Sequence, residues 1–146
     1  MNNNTFNANI VWAADPAERL KKAQKFVDKE CLRLMSQYTP FRTGTMERSA
    51  TLGTVIGSGK IVYNSPYARY LYYGVVYGPN IPLYVNGELE GFFSKKGVKK
   101  QPANRMLNYD KTAHPQAQRL WFEVMKRKHG NAILRGAAAI SGGRAE

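Results

Sequence analysis

His114 and His129 are the only side chains in this 146-residue chain whose ordinary pKa lies near neutrality, and Cys31 is its only thiol. To do acid–base, nucleophilic or metal chemistry they would have to meet partners. His114 stands before Pro115 at an expected helix start and His129 at an expected helix end, both ordinary structural positions. As the single cysteine, Cys31 cannot form an internal disulfide, and its place on the apolar face of an expected helix favours an inert buried thiol. Two histidines and one cysteine supply neither a CxxC nor an HExxH spacing. The glycine pairs lack the Lys-Ser/Thr ending of a phosphate loop, and Glu47, Glu88, Glu90 and Asp110 form no paired-carboxylate motif for hydrolysis. No catalytic, cofactor-binding or metal-binding residue is therefore expected, and the chain reads as a non-enzyme.

The chemistry the sequence does favour is binding. Twenty-two Lys and Arg face ten Asp and Glu, a formal net charge of +12, which attracts polyanions or acidic protein surfaces. Gly91 to Pro102 reads as a glycine-bounded loop carrying Phe92, Phe93, Lys95, Lys96, Lys99 and Lys100. Its lysines suit phosphates and its phenylalanines suit either base stacking or insertion into a neighbouring subunit; a solvated tip competes with both. A second concentration is aromatic: Tyr63, Tyr67, Tyr70, Tyr72 and Tyr73 crowd into eleven residues. With Tyr77 they ask for a packing partner, in the chain's own sheet or on another subunit.

The elements that would position these groups follow from caps and periodicity. Asp15-Pro16-Ala17-Glu18 starts a helix expected over Pro16 to Gln37, with Leu20, Ala23, Val27, Cys31, Leu34, Met35 and Tyr38 as its apolar stripe. Thr43 is the expected cap of a short helix ending near Ser49. Thr51 to Ile56 and Ile61 to Tyr63 read as a β-hairpin turning at Gly57-Ser58-Gly59. Ser65-Pro66 then starts a short helix that Gly74 ends. Val75 to Gly87, broken by Pro79 and Pro82, reads as an extended arm or edge strand, and Asn104 to Tyr109 as a returning strand. Thr112 to Pro115 is expected to cap a last helix carrying Ala117, Leu120, Trp121, Val124 and Met125 on one face, closed by His129-Gly130.

Length fits one domain. Residues 1–14 are expected to form an Asn-rich N-terminal arm anchored by Trp12, residues 15–130 the domain with an insert at 87–102, and residues 131–146 a Gly-rich tail. No apolar run is long enough for a bilayer and MNNNTFNANIVW lacks the features of a signal peptide, so the expected site of synthesis is the cytoplasm, with no membrane partner.

Laid out in order, these motifs resemble the neck proteins of tailed bacteriophages, the small head-tail joining or tail-completion proteins often labelled minor capsid proteins. The likeness runs through Pro40 and Thr43-Gly44 to Ser49, then Gly59-Lys60-Ile61-Val62-Tyr63-Asn64-Ser65-Pro66-Tyr67-Ala68-Arg69-Tyr70 with Gly74, then His114-Pro115-Gln116-Ala117 and Trp121-Phe122-Glu123. It implies an α+β subunit, with a long N-terminal helix and a C-terminal helix packed on a small, mostly antiparallel sheet and an extended arm. It further implies a hexameric or dodecameric ring in the virion neck, between portal or adaptor and tail-terminator or tail-tube proteins, through which double-stranded DNA passes. Tyr63, Tyr67, Tyr70, Tyr77, Phe92 and Phe93 are then the expected subunit-interface residues, and Lys95, Lys96, Lys99 and Lys100 the expected DNA-facing ones. The insert at Gly91 to Pro102 and the Gly-rich tail depart from the family pattern. A stand-alone basic nucleic-acid-binding module is the alternative.

Overall fold

A computed structural model describes residues 15–144, the side chain of Phe92 excepted; the expected arm with Trp12 and the last two residues lie outside the described residues. The first helix forms where its sequence signals place it. α1 spans Pro16–Ser36, with proline at its first turn and Asp15 Oδ1 accepting from the Ala17 N–H at 3.0 Å. At about 1.5 Å per residue it is about 30 Å long. It buries Ala23, Cys31 and Met35, whereas Leu20, on the expected stripe, stays mostly exposed.

α2 spans Thr45–Gly53. Gly44, at φ +73°, occupies its cap position, while Thr43 Oγ1 bonds the Thr45 hydroxyl at 2.7 Å in place of the expected backbone N–H. Met46, Ser49 and Ala50 recur at helical spacing and are buried, so the helix runs on through Thr51 to Gly53 and the expected hairpin does not form. Residues 54–64 make a loop held by side chains. Thr54 Oγ1 accepts from the Val62 N–H at 3.0 Å, and Asp28 Oδ2 accepts from the N–H groups of Gly57 and Gly59 at 2.7 and 3.2 Å.

Ser65 Oγ accepts from the Tyr67 N–H at 3.3 Å in a turn that precedes the helix, and α3 spans Ala68–Tyr73 with Tyr67 at its cap position, so the helix starts two residues later than the expected Ser65-Pro66 start. Gly74 ends it at φ +69°; a Cβ there would lie 2.6 Å from the Tyr109 hydroxyl, so both backbone and space favour glycine. Two antiparallel ribbons follow. β1 (Val75–Gly78) pairs with β4 (Gln101–Met106), and β2 (Ile81–Val85) pairs with β3 (Glu88–Phe93). Much of the expected 91–102 loop is thus strand, leaving residues 94–100 as the connection.

The last helix, α4, spans Trp121–Ser141. It starts later than its sequence suggests because the Gln118 and Leu120 N–H groups are committed to the carbonyls of Tyr38 and Tyr72, at 3.1 and 2.8 Å, and Leu120 takes φ +52°. It passes through Gly130 and ends at Gly142, so the expected domain boundary at residue 130 falls inside a helix and most of the expected tail is folded.

The chain is α+β, with the two long helices packed chiefly on each other. They run antiparallel: Arg19 lies by Gly142, Phe26 by Gly136 and Tyr38 by His129. A Cβ on Gly136 would sit 2.5 Å from the Phe26 ring, so glycine permits the close approach there. Met35, Tyr38, Met46, Trp121, Val124 and Met125 form the centre of the core. Cys31 is buried beside them, and loss of solvation, followed by the charges of Asp28 and Glu30, pushes its thiol pKa up, as an inert thiol requires.

Candidate functional site

The two histidines are held by hydrogen bonds to neighbouring segments. Since the Thr39 carbonyl can only accept, His114 Nδ1 is the donor in their 2.8 Å hydrogen bond, and its ring lies 4.9 Å from that of Phe41. His129, within α4, has Nε2 2.9 Å from the Tyr38 hydroxyl and 3.4 Å from Gln37 Nε2, tying α4 to the end of α1. Lys128 lies over the Tyr38 ring at 5.1 Å. Among the described residues no three His, Cys, Asp or Glu side chains gather as metal ligands. A recess of about 340 Å³ between α1 and α2 is lined by Lys29, Arg33, Ser36, Thr39, Glu47 and Tyr63; its one carboxylate, Glu47, accepts from Ser36 Oγ at 2.6 Å.

The tyrosine cluster divides into an inner and an outer set. Tyr63 is turned inward: its hydroxyl accepts from Trp121 Nε1 at 3.0 Å and lies 3.4 Å from Thr39 Oγ1, and its ring meets Trp121 edge-on at 5.5 Å. Tyr63, one of the expected interface residues, is therefore partly buried against the core. Tyr72 likewise meets Trp121 edge-on at 4.9 Å. Tyr67, Tyr70 and Tyr73 face outward, with Tyr70 stacked edge-on against half-buried Tyr77 at 5.1 Å.

Burial raises the phenol pKa of Tyr63, of Tyr72 and of Tyr109, whose hydroxyl donates to the Leu71 carbonyl. A raised pKa in the folded state means folding holds protons that the unfolded chain releases. Stability should therefore be fully present below about pH 10, the ordinary tyrosine value, and fall as pH rises toward the folded-state values. Parallel titration of tyrosinate absorbance and far-ultraviolet circular dichroism checks this. Tyrosinate absorbance that reached its full amplitude near pH 10 with the helices intact would count against it.

The binding residues expected in one loop lie on the end of β3 and the connection that follows it. Phe93 ends β3 and is about half exposed, while Lys95, Lys96, Lys99 and Lys100 lie exposed on the 94–100 connection, Lys100 donating to Asn80 Oδ1 at 2.7 Å. The side chain of Phe92 lies outside the described residues. Three further surface features bear on binding, of which the first two escaped the sequence reading. One is the β2–β3 ribbon, which among the described residues packs on no helix to any substantial extent and exposes Leu83, Tyr84, Val85 and Leu89. Its signal was Asn86-Gly87, here at φ +53° and +88°, the pair that favours a tight hairpin turn. The second is the end of α2, where Leu52 and Val55 are 79% and 72% exposed. The third is a row of exposed lysines on α1, Lys22, Lys25 and Lys29, whose spacing of three and four residues puts them on one side.

No family model, curated protein or solved structure matches this chain. Among the described residues no helix is long and apolar enough to cross a membrane.

Proposed function

We propose that this chain is a structural subunit of a tailed-phage neck, a head-tail connector or tail-completion ring joining the portal side to the tail tube. The observation that carries the reading is the β2–β3 ribbon, whose exposed Leu83, Tyr84, Val85, Leu89 and Phe93 leave a two-stranded hairpin without a core of its own. Such a hairpin is marginal in water by itself, so another surface would complete it. Outward-facing Tyr67, Tyr70 and Tyr73 add to the surface in need of a partner. The motif order that resembles neck proteins supplies the assembly, and the excess of Lys and Arg suits the passage of duplex DNA without reading its bases. The test is molar mass by light scattering across a range of concentrations, alone and with candidate portal-side and tail-side proteins. A closed ring of about six or twelve copies is expected for an isologous-free, head-to-tail assembly. A monomer under every condition would overturn the reading.

A second reading, a stand-alone nucleic-acid-binding module, is favoured by the Lys22, Lys25 and Lys29 row, none of which is in an ion pair among the described residues. It predicts duplex binding by the monomer with a steep salt dependence. In either case, replacing Lys95, Lys96, Lys99 and Lys100 together by Ala should weaken duplex binding by about tenfold or more at low salt and flatten the salt slope. Unchanged affinity would remove these four lysines from the DNA-facing set.

A further inference from the structure

The β2–β3 ribbon and the exposed end of α2 are opposite in character, and both belong to the same chain. By register the ribbon sets Ile81 across from Phe93 and Leu83 across from Gly91, with Tyr84 across from Leu89 in the alternate row, so apolar positions occupy both faces. Within residues 81–93 the charged side chains are Glu88 and Glu90; two of the ten acids of the chain are here, and none of its 22 Lys and Arg. The ribbon is an apolar, acidic finger on a strongly basic protein. At the end of α2, Leu52 and Val55 are flanked by cations. Arg48 lies one turn before Leu52 on the same side of the helix and is exposed, Lys60 is exposed on the following loop, and the Lys25 side chain lies against Gly57.

From this complementarity we infer that the ribbon of one copy seats face-on over Leu52 and Val55 of the next copy, with Glu88 and Glu90 meeting Arg48, Lys60 and Lys25. The inference rests on the ring-subunit reading above and names the surfaces that would build the ring. Ribbon against ribbon would set four carboxylates together, whereas ribbon against α2 opposes unlike charges. Addition of a strand at the ribbon edge is hindered on β2, where Pro82 lacks an N–H and the pairing shifts between Leu83 and Tyr84. Donor and acceptor are different patches of one chain, so the contact is head-to-tail and propagates until the rotation closes it.

Cross-linking of the full chain tests this, and Cys31 does not interfere because it is buried. Chains carrying Val85→Cys, which by register shares the face of Glu88, and chains carrying Leu52→Cys are mixed and mildly oxidised, with molar mass measured on the unoxidised sample. A disulfide-linked pair containing one of each is expected, and the chain with both substitutions should give a ladder. Charge reversal supplies a second readout. Glu88→Lys with Glu90→Lys should weaken association by at least tenfold, as should Arg48→Glu with Lys60→Glu, and mixing the two reversed proteins should restore much of it. A chain that self-associates but forms no Val85–Leu52 link, or links Val85 only to Val85, overturns the docking while leaving the ring reading in place. A chain that is monomeric alone and with candidate neck partners overturns both.

Discussion

Trp121→Ala is expected to cost about 3–5 kcal/mol of folding stability, the range for truncating a buried aromatic side chain. Trp121 is 1% exposed and stands at the junction of three segments. Its ring meets Tyr63 from the loop after α2 and Tyr72 from α3 edge-on, at 5.5 and 4.9 Å, and its N–H donates to the Tyr63 hydroxyl at 3.0 Å. Truncation opens a cavity, removes both aromatic contacts and leaves the Tyr63 hydroxyl without its donor. Against a typical total of about 5–15 kcal/mol, the loss is about a fifth of the stability or more. Trp121→Phe keeps most of the volume and should cost less than half as much. Urea unfolding followed by far-ultraviolet circular dichroism measures both; a loss below about 1 kcal/mol for the alanine variant would mean that the indole does not join these segments.

Asp28→Ala should be the next most damaging change, at about 2–3 kcal/mol, since hydrogen bonds to a charged group contribute more than neutral ones. Asp28 is 3% exposed and is in no ion pair among the described residues. Its carboxylate serves the backbone: Oδ2 accepts from Gly57 and Gly59, and Oδ1 accepts from Gln24 Nε2 at 2.8 Å. This turn takes φ +99° and +73° at its two glycines, so the carboxylate substitutes for strand pairing in fixing a glycine-rich loop. Asp28→Asn retains an acceptor for the two amides and should cost only about 1 kcal/mol, which separates the hydrogen bonds from the volume. Hydrogen exchange at Gly57 and Gly59 should accelerate in the alanine variant and much less in the asparagine variant. Because this loop follows Val55 and carries Lys60, its loosening should also weaken the proposed docking at the α2 end.

The two predictions concern contacts of different legibility. Trp121 announces itself as a core residue by its apolar spacing with Val124 and Met125, but its partners Tyr63 and Tyr72 stand 58 and 49 positions away in sequence and are known only from the fold. Asp28 gives no sign in the sequence of being buried. On α1 it looks like one more charge interrupting a basic face, and only the arrival of the 57–59 turn over it changes that.

The sequence by itself determined what local chemistry can determine. Asp15-Pro16 starts α1 because proline needs no hydrogen-bond acceptor in a first turn and the aspartate satisfies a free N–H; Gly74 ends α3 because a left-handed residue is required there. The α+β class, the buried Cys31 and the Tyr-rich short helix follow from the same kind of information. Tertiary structure decided whatever depended on which distant group competes for a backbone or a surface. Thr51 to Gly53 became helix because Met46, Ser49 and Ala50 had a buried face to extend; α4 waited until Trp121 because Tyr38 and Tyr72 took the preceding N–H groups; and it ran past Gly130 because Gly136 let it lie close against Phe26 on α1. Exposure was decided in the same way. Tyr63 was drawn inward by a hydrogen bond from Trp121, while Leu83, Tyr84 and Leu89 are covered by no helix among the described residues.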